Sequence, residues 1–387
     1  MFNAFARGEA TVTNALLGGD CKSTIACMRA LGAEITVDGS TVKVKGATVF
    51  KDATLDAGNS GTTTRLLTGL LAGKNVTATL DGDDSLRTRP MKRVTEPLSA
   101  MGAIVTTTDG KVPLTVRPAV LHGIDYVMPM ASAQVKSAVI LAGINADGVT
   151  RVTEPALSRN HTELMLKAMG ADIAQDGLTV TVRRSEPKAV DVRVPGDISS
   201  AAFLLGAAVV TGGSVTVRNV GLNPTRTGIV EVLRAMGAKI TIDNYSDEVE
   251  PIGDLTVKSA PLRPFKITKE IVPSLIDELP LLAAIACYAN GTSVISGAEE
   301  LKVKESDRIA TTVEALTALG ADVEPTEDGM IIHGHGGLKG GGTTNARGDH
   351  RIAMTSAVAA LGSELGCDID GAETASISYP GFWEVIC

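Results

Sequence analysis

An internal repeat constrains this chain more than any other feature of it. Five segments run as an amphipathic helix, a Gly-Ala pair, then strand, turn and strand: MRALGAEITVDGSTVKVKG, LSAMGAIVTTTDGKVPLTV, LKAMGADIAQDGLTVTVRR, LRAMGAKITID and LTALGADVEPTEDGMIIHG. Their glycines, Gly32, Gly102, Gly170, Gly237 and Gly320, are spaced 70, 68, 67 and 83 residues apart. Glycine directly after a helix supplies the left-handed residue that ends it, and the Val/Ile/Thr alternation that follows has the two-residue period of a strand. Each unit therefore predicts a helix that turns straight into a hairpin.

A second, more apolar helix type interleaves with the first, in segments that begin at Phe2, Arg65, Ala138, Ala202, Leu281 and Ala353. A helix apolar on most of its faces is a buried one. Six buried helices, five surface helices and strands after each predict an α/β chain of two lobes, each of three βαβαββ units with the buried helix inside. Unit length places the lobes at 1–205 and 206–387, with the last unit incomplete. A chain of 387 residues has room for two such cores.

Composition excludes several classes. A formal charge of −8 with 3% aromatic residues is a poor match to nucleic-acid binding, which calls for basic surface and stacking platforms. The five cysteines form no C-x-x-C or Cys/His cluster, so they read as reduced thiols without a disulfide framework or zinc site. The longest apolar stretches, such as Leu279 to Ala289, are far shorter than the roughly 20 residues of a membrane span. With no basic and apolar leader at the start, a cytoplasmic protein is expected.

The loops ahead of the helices collect the polar residues. Arg89, Arg159, Arg226 and Arg308 lie 13, 11, 11 and 12 residues before the glycine of their unit, about three helical turns, which puts each at a helix N-terminus. Free N–H groups and the positive end of the helix dipole attract anions there. One such arginine is ordinarily a solvated charge; four at the same phase of a repeat predict a multi-helix anion trap. Ahead of the buried helices stand GNSGTTTR, MASAQVKSA, GDISSA, SLIDELP and GDHRIA. GNSGTTTR reads equally as a cap with a tight turn. In SLIDELP, capping explains one acid but not both Asp277 and Glu278. Asp349-His350-Arg351 reads equally as an exposed salt-bridge loop, and His122 and His161 read as surface residues. In Gly334 to Gly342 no Gly-Lys-Ser/Thr follows and no helix opens, so the run reads as a turn and not a phosphate loop.

Together LDAGNSGTTTR, RPM, MASAQVKSA, SRNHTE, NPTRTG, LKVKESDR and GDHRIAM, in this order, resemble the enolpyruvyl transferases, and among them the members that act on shikimate 3-phosphate. The resemblance runs from Met1 to about Glu384. It implies two lobes of three βαβαββ units closing over the substrates as an inside-out α/β barrel. It also implies transfer of the enolpyruvyl group of phosphoenolpyruvate to the 5-hydroxyl of shikimate 3-phosphate with release of phosphate, in the shikimate pathway of aromatic amino-acid biosynthesis. By the same resemblance Ser132, Ala133, Gln134 and Arg159 hold shikimate 3-phosphate, and Gln134 also reaches phosphoenolpyruvate. Asn59, Gly61, Arg89, Arg308 and Arg351 surround the phosphoenolpyruvate carboxylate and phosphate. Asp277 accepts the proton of the 5-hydroxyl, Lys304 and Glu305 flank the reacting enol carbon, and His350 lies in a closing loop. Gly61 matches a position where added bulk accompanies resistance to glyphosate, a phosphoenolpyruvate mimic.

Protonation at C3, addition of a hydroxyl at C2 and expulsion of phosphate need an acid, a base and dense positive charge, and no cofactor or metal. The implied partners are the two small-molecule substrates, with neither nucleic acid nor membrane, and a monomer is expected. Two departures stand out. The loop that in the family precedes the first buried helix, with a Lys-Ser pair and an Arg, has no counterpart ahead of Phe2, and Ile377 stands where some members have a lysine. A truncated remnant that binds phosphorylated ligand without turnover is the alternative these departures raise. Transfer to a UDP-amino sugar, as in UDP-N-acetylglucosamine enolpyruvyl transferase, uses a loop cysteine as acid, and Asp81 to Arg93 contains none.

Overall fold

A computed structural model describes all residues other than 48 and 248. They form two compact units, Met1–Val194 and Pro195–Cys387. Residue 205, where unit length puts the boundary, falls inside the helix Ile198–Val210.

All five Gly-Ala pairs end their helices in one way. The helices are Gly19–Ala30, Lys92–Ala100, His161–Ala168, Gly228–Ala235 and Arg308–Ala318, and each following glycine has φ between +80° and +110°. The Gly32 amide donates to the Arg29 carbonyl and the Ala33 amide to that of Met28, both at 3.0 Å; the other four pairs repeat this at 2.9–3.0 Å. This doubly bonded left-handed stop satisfies carbonyls that would otherwise be orphaned, and any side chain at the glycine would be strained. The expected hairpins follow, for example Glu34–Asp38 with Thr41–Lys45 and Asp322–Pro325 with Met330–His335.

The second repeat shows the unit in full. Strands Ala53–Asp56 and Ala78–Asp81 pair in parallel across the buried helix Gly61–Ala72. Lys111–Arg117 then pairs antiparallel with both Ala78–Asp81 and Ile104–Thr108. The third and fifth repeats have the same strand order. The first borrows its parallel edge from Val192–Arg193, at the far end of the unit. The fourth has three strands plus a parallel bridge from Gly196 to Val220. The sixth has two parallel strands, Thr343–Asn345 and Asp368–Asp370, around the helix His350–Leu361.

Two expectations are corrected. Among the described residues no sheet closes on itself, so the barrel description does not hold: with at most four strands each, these sheets are too narrow for closure, which takes about eight. In the segment that begins at Phe2, only Phe2–Phe5 is helical, and Glu9–Thr13 is a strand, as its β-branched residues favour.

The buried helices build each core. Gly61–Ala72 and Ala133–Gly143 approach so closely that a Cβ on Gly69 would lie 2.1 Å from the Ala138 carbonyl oxygen. Leu279–Ala286 is buried at every residue. Ser60, Ser132, Asp197 and Asp349 each accept a hydrogen bond from a first-turn amide of the helix they open. Four of the six buried helices thus begin at a capping side chain, where N–H groups are otherwise free.

Candidate active site

In the first unit the polar loops converge on the N-termini of Gly61–Ala72 and Ala133–Gly143. Arg65 Nη1 donates to Gln134 Oε1 at 2.5 Å, and Gln134 Nε2 donates to Thr62 Oγ1 at 2.8 Å, so the two helix starts are tied side chain to side chain. Arg89 Nη2 donates to Asn59 Oδ1 at 2.6 Å, and Asn59 Nδ2 to Asp83 Oδ2 at 2.8 Å. Gly61 lies against both arginines: a Cβ there would sit 3.2 Å from Nη1 of Arg65 and of Arg89. Burial, then the charges of Arg93 and Arg89, push the Arg65 guanidinium below its ordinary pKa. Arg93 and Arg89 thus stand close enough for their like charge to add to the effect of burial, and a bound anion would offset that repulsion. Ser132 and Ala133 open the second helix. Arg159 is exposed, one residue ahead of the N-cap Asn160.

The second unit pairs its cations differently. Arg308, only 2% exposed, is held by three carboxylates: Asp349 Oδ2 at 2.8 Å from Nε, Glu305 Oε2 at 2.6 Å from Nη2, and Asp277 Oδ1 at 3.3 Å from Nη1. Asp277 also meets Arg226 Nη1 at 3.5 Å. Arg226 Nη2 donates to Ser199 Oγ at 2.5 Å, and Ser199 donates to the fully buried Glu278. Arg351 completes the group, with Nη1 3.7 Å from Glu278 Oε1 and its guanidinium 5.8 Å above the Phe203 ring. Lys304 Nζ lies 2.6 Å from Glu300.

Three carboxyl and imidazole groups here are displaced from their ordinary ranges. Burial alone would raise Asp349, but the hydrogen bond and charge of Arg308 outweigh it and hold the carboxyl low. Burial raises Glu278 in spite of Arg226 and Arg351. Burial, then the charge of Arg351, lowers His350, which favours the neutral imidazole. Perturbed groups of this kind gather where proton transfer is arranged.

The sequence-predicted residues fall into two sets. Asn59, Gly61, Arg89 and Gln134 stand together in the first unit around Arg65; Asp277, Glu305, Arg308, His350 and Arg351 stand together in the second around Asp349 and Glu278. The reading of Asp349-His350-Arg351 as an exposed salt-bridge loop is overturned, because Asp349 is wholly buried as a helix cap. His122 and His161 are exposed, as expected. Sequence reasoning gave no role to Arg65, although it lies one helical turn after Gly61 and so shares its face. It also passed over Lys136, a cation inside an otherwise apolar helix, which the structure surrounds with Glu154 and Glu163. Among the described residues, Asp322, Glu324 and His333 bring ligand atoms within 4.8 Å of one another. They lie on a hairpin and belong to neither group above.

Repeated α/β units whose helix N-termini gather guanidinium and carboxylate groups define a protein built to handle polyanionic small molecules. Residues 1–386 match the family model described as EPSP synthase (3-phosphoshikimate 1-carboxyvinyltransferase). The 3-phosphoshikimate 1-carboxyvinyltransferase of Bacillus velezensis is 51% identical over 99% of this chain and 92% of its own length, and that of Bacillus subtilis 49% over the same shares. The solved EPSP synthase of Acinetobacter baumannii superposes with a TM-score of 0.92 at 40% identity, over 100% of this chain and 91% of that one. The chain belongs to the EPSP synthase family.

Proposed function

We propose that the chain transfers the enolpyruvyl group of phosphoenolpyruvate to the 5-hydroxyl of shikimate 3-phosphate and releases inorganic phosphate, with its residues in the following roles. The match of residues 1–386 to one carboxyvinyltransferase family carries this reading. Arg65 and Arg89, whose guanidinium groups both face Gly61, take the phosphate and carboxylate of phosphoenolpyruvate. Ser132, Ala133, Gln134 and Arg159 take shikimate 3-phosphate. Asp277, oriented by Arg226 and Arg308, accepts the proton of the 5-hydroxyl as its oxygen bonds to C2 of phosphoenolpyruvate. A proton from the Lys304–Glu305 side goes to C3. In the second step a proton returns from C3 to the Lys304–Glu305 side as the C–O bond to phosphate breaks, which forms the enol ether of the product and frees inorganic phosphate.

Lys304 and Glu305 suit that exchange because each lies beside a group of opposite charge, Glu300 and Arg308. Arg351 and His350, at the start of one helix, complete the anion contacts. Transfer to a UDP-amino sugar is not favoured, since the relatives named above are carboxyvinyltransferases of 3-phosphoshikimate. A cytoplasmic monomer that binds neither nucleic acid nor membrane fits the acidic charge, and no helix among the described residues is long and apolar enough to cross a membrane. Phosphate release by protein expressed from its complete open reading frame tests the reading. Release that needs both substrates and fails in Asp277→Asn is expected; none from folded protein would overturn it.

A further inference from the structure

A second charged cluster lies beneath the shikimate 3-phosphate residues of the first unit. Lys136 stands one turn inside the helix Ala133–Gly143, with its side chain 0% exposed. Its Nζ is 2.7 Å from Glu154 Oε1 and 2.7 Å from Glu163 Oε1, and those side chains are 0% and 6% exposed. Residues 154–160 belong to neither strand nor helix, and this strap carries Arg159. It is tied on both sides of Arg159: Ser158 donates its hydroxyl to Glu154 and offers its carbonyl to Lys136 Nζ at 3.5 Å, and beyond Arg159 the Thr162 Oγ1 lies 2.7 Å from Ser137 Oγ on the helix that carries Lys136. The same helix turn that presents Ser132 and Gln134 therefore anchors the segment that presents Arg159.

Burying three ionisable groups is costly, and a well-packed apolar set would be at least as stabilising. Ionised throughout, the cluster would carry a net negative charge in a dry site. Burial pushes the Glu163 carboxyl up against the pull of Lys136, and its Oε2 has no hydrogen-bond partner among the described residues. What this arrangement supplies is direction: one ammonium fixes a strand end, a helix start and the strap in register, as hydrophobic contact cannot.

We infer that Lys136, Glu154 and Glu163 are positioning residues that hold the Ser158–Arg159 strap at a set distance from Ser132 and Gln134, and so fix the geometry in which shikimate 3-phosphate is bound. The inference rests on the proposed transfer reaction for its ligand and on the cluster alone for its mechanics.

The test is the uncharged, near-isosteric variant Lys136→Met/Glu154→Gln/Glu163→Gln, which strands no buried charge. Amide hydrogen exchange over residues 156–160 should quicken at least tenfold. The dissociation constant for shikimate 3-phosphate, by calorimetry, should rise at least tenfold, with the KM for phosphoenolpyruvate within twofold of native. Glu163→Gln alone, which keeps an oxygen facing Nζ, should bind within threefold of native. Ser158→Ala removes one tether without altering the charges and should give a smaller rise of the same kind; it decides the matter if the triple variant does not fold. Unchanged exchange in the strap, or faster exchange with native affinity, overturns the inference. If the native protein binds no shikimate 3-phosphate, the proposed reaction fails, and the exchange measurement still decides whether the cluster holds the strap.

Discussion

Removing Asp349 should cost the second unit more than removing any other single carboxylate around Arg308. Its carboxylate does three jobs in a fully buried position: it pairs with Arg308 Nε at 2.8 Å, accepts from the Arg351 amide at 2.8 Å as the cap of His350–Leu361, and accepts from Ser306 Oγ at 3.0 Å. Breaking a buried ion pair from one side costs about 3–5 kcal/mol. Arg308 keeps Glu305 and Asp277, which puts that loss near about 3 kcal/mol, and the lost cap adds about 1 kcal/mol. Asp349→Ala should therefore destabilise by about 4 kcal/mol. Asp349→Asn keeps an acceptor for the cap and should lose about 2–3 kcal/mol, a hydrogen bond to a charged group. Glu305→Gln, half exposed, should lose about 0–1 kcal/mol. Urea unfolding followed by Trp383 fluorescence reads the right unit, because this sole tryptophan lies there, with its ring 5.0 Å from Phe382 and its Nε1 donating to the Ala372 carbonyl at 3.0 Å. The pH dependence has a definite sign. A carboxyl held low in the folded protein contributes its full stability above its unfolded pKa of about 3.9 and loses it as pH falls through the lower folded value. The gap between native protein and Asp349→Asn should close as the pH is lowered below about 4. Equal losses for Asp349→Ala and Glu305→Gln would refute this account of the Arg308 network.

Three further substitutions follow from the geometry. Gly61→Ala puts a methyl group 3.2 Å from two guanidinium nitrogens; partial loss of one charge-assisted contact should raise the KM for phosphoenolpyruvate about tenfold. Glyphosate inhibition should weaken in parallel, and unchanged values of both would refute the crowding. Asp277→Asn should lower turnover by about 10²–10⁴, the usual share of a general base, while calorimetry still registers shikimate 3-phosphate; near-native phosphate release rules out that role. Because burial and Arg351 lower His350, any acid limb of turnover that it sets should lie below its ordinary value of about 6.5 and vanish in His350→Asn. A limb at or above that value, or one that survives the substitution, excludes His350 as its origin.

The fold was legible because its signals are local. A glycine at C′ followed by alanine and a β-branched alternation can be read within a dozen residues, and five copies at one phase leave few alternatives. What was not legible depended on contacts distant in sequence. The first repeat takes its edge strand from Val192–Arg193, some 180 residues away from Val12, and no local pattern announces that pairing. Barrel closure failed as an expectation for a related reason: a repeat fixes the unit, whereas the number of strands that pair across units is set by packing.

The site shows the same division, with a chemical consequence. Helix-end arginines were visible from their phase in the repeat, but apart from Glu305 their pairing with carboxylates was not, because Asp349 lies 41 residues from Arg308 and Asp277 lies 51 from Arg226. Those partners make the two units unlike. In the first, burial and like charge depress Arg65, so an incoming anion removes repulsion as it binds. In the second, Arg226, Arg308 and Arg351 face Asp277, Glu278, Glu305 and Asp349, so their charge is already matched and an anion gains less from them. In the proposed reaction Asp277 takes the proton of the 5-hydroxyl, and Arg226 and Arg308 on either side of it hold its carboxylate in place. Four arginines at one phase of a repeat therefore do not share one setting: Arg226 and Arg308 meet carboxylates that only the folded chain brings to them, whereas Arg89 donates to the side-chain amide of Asn59.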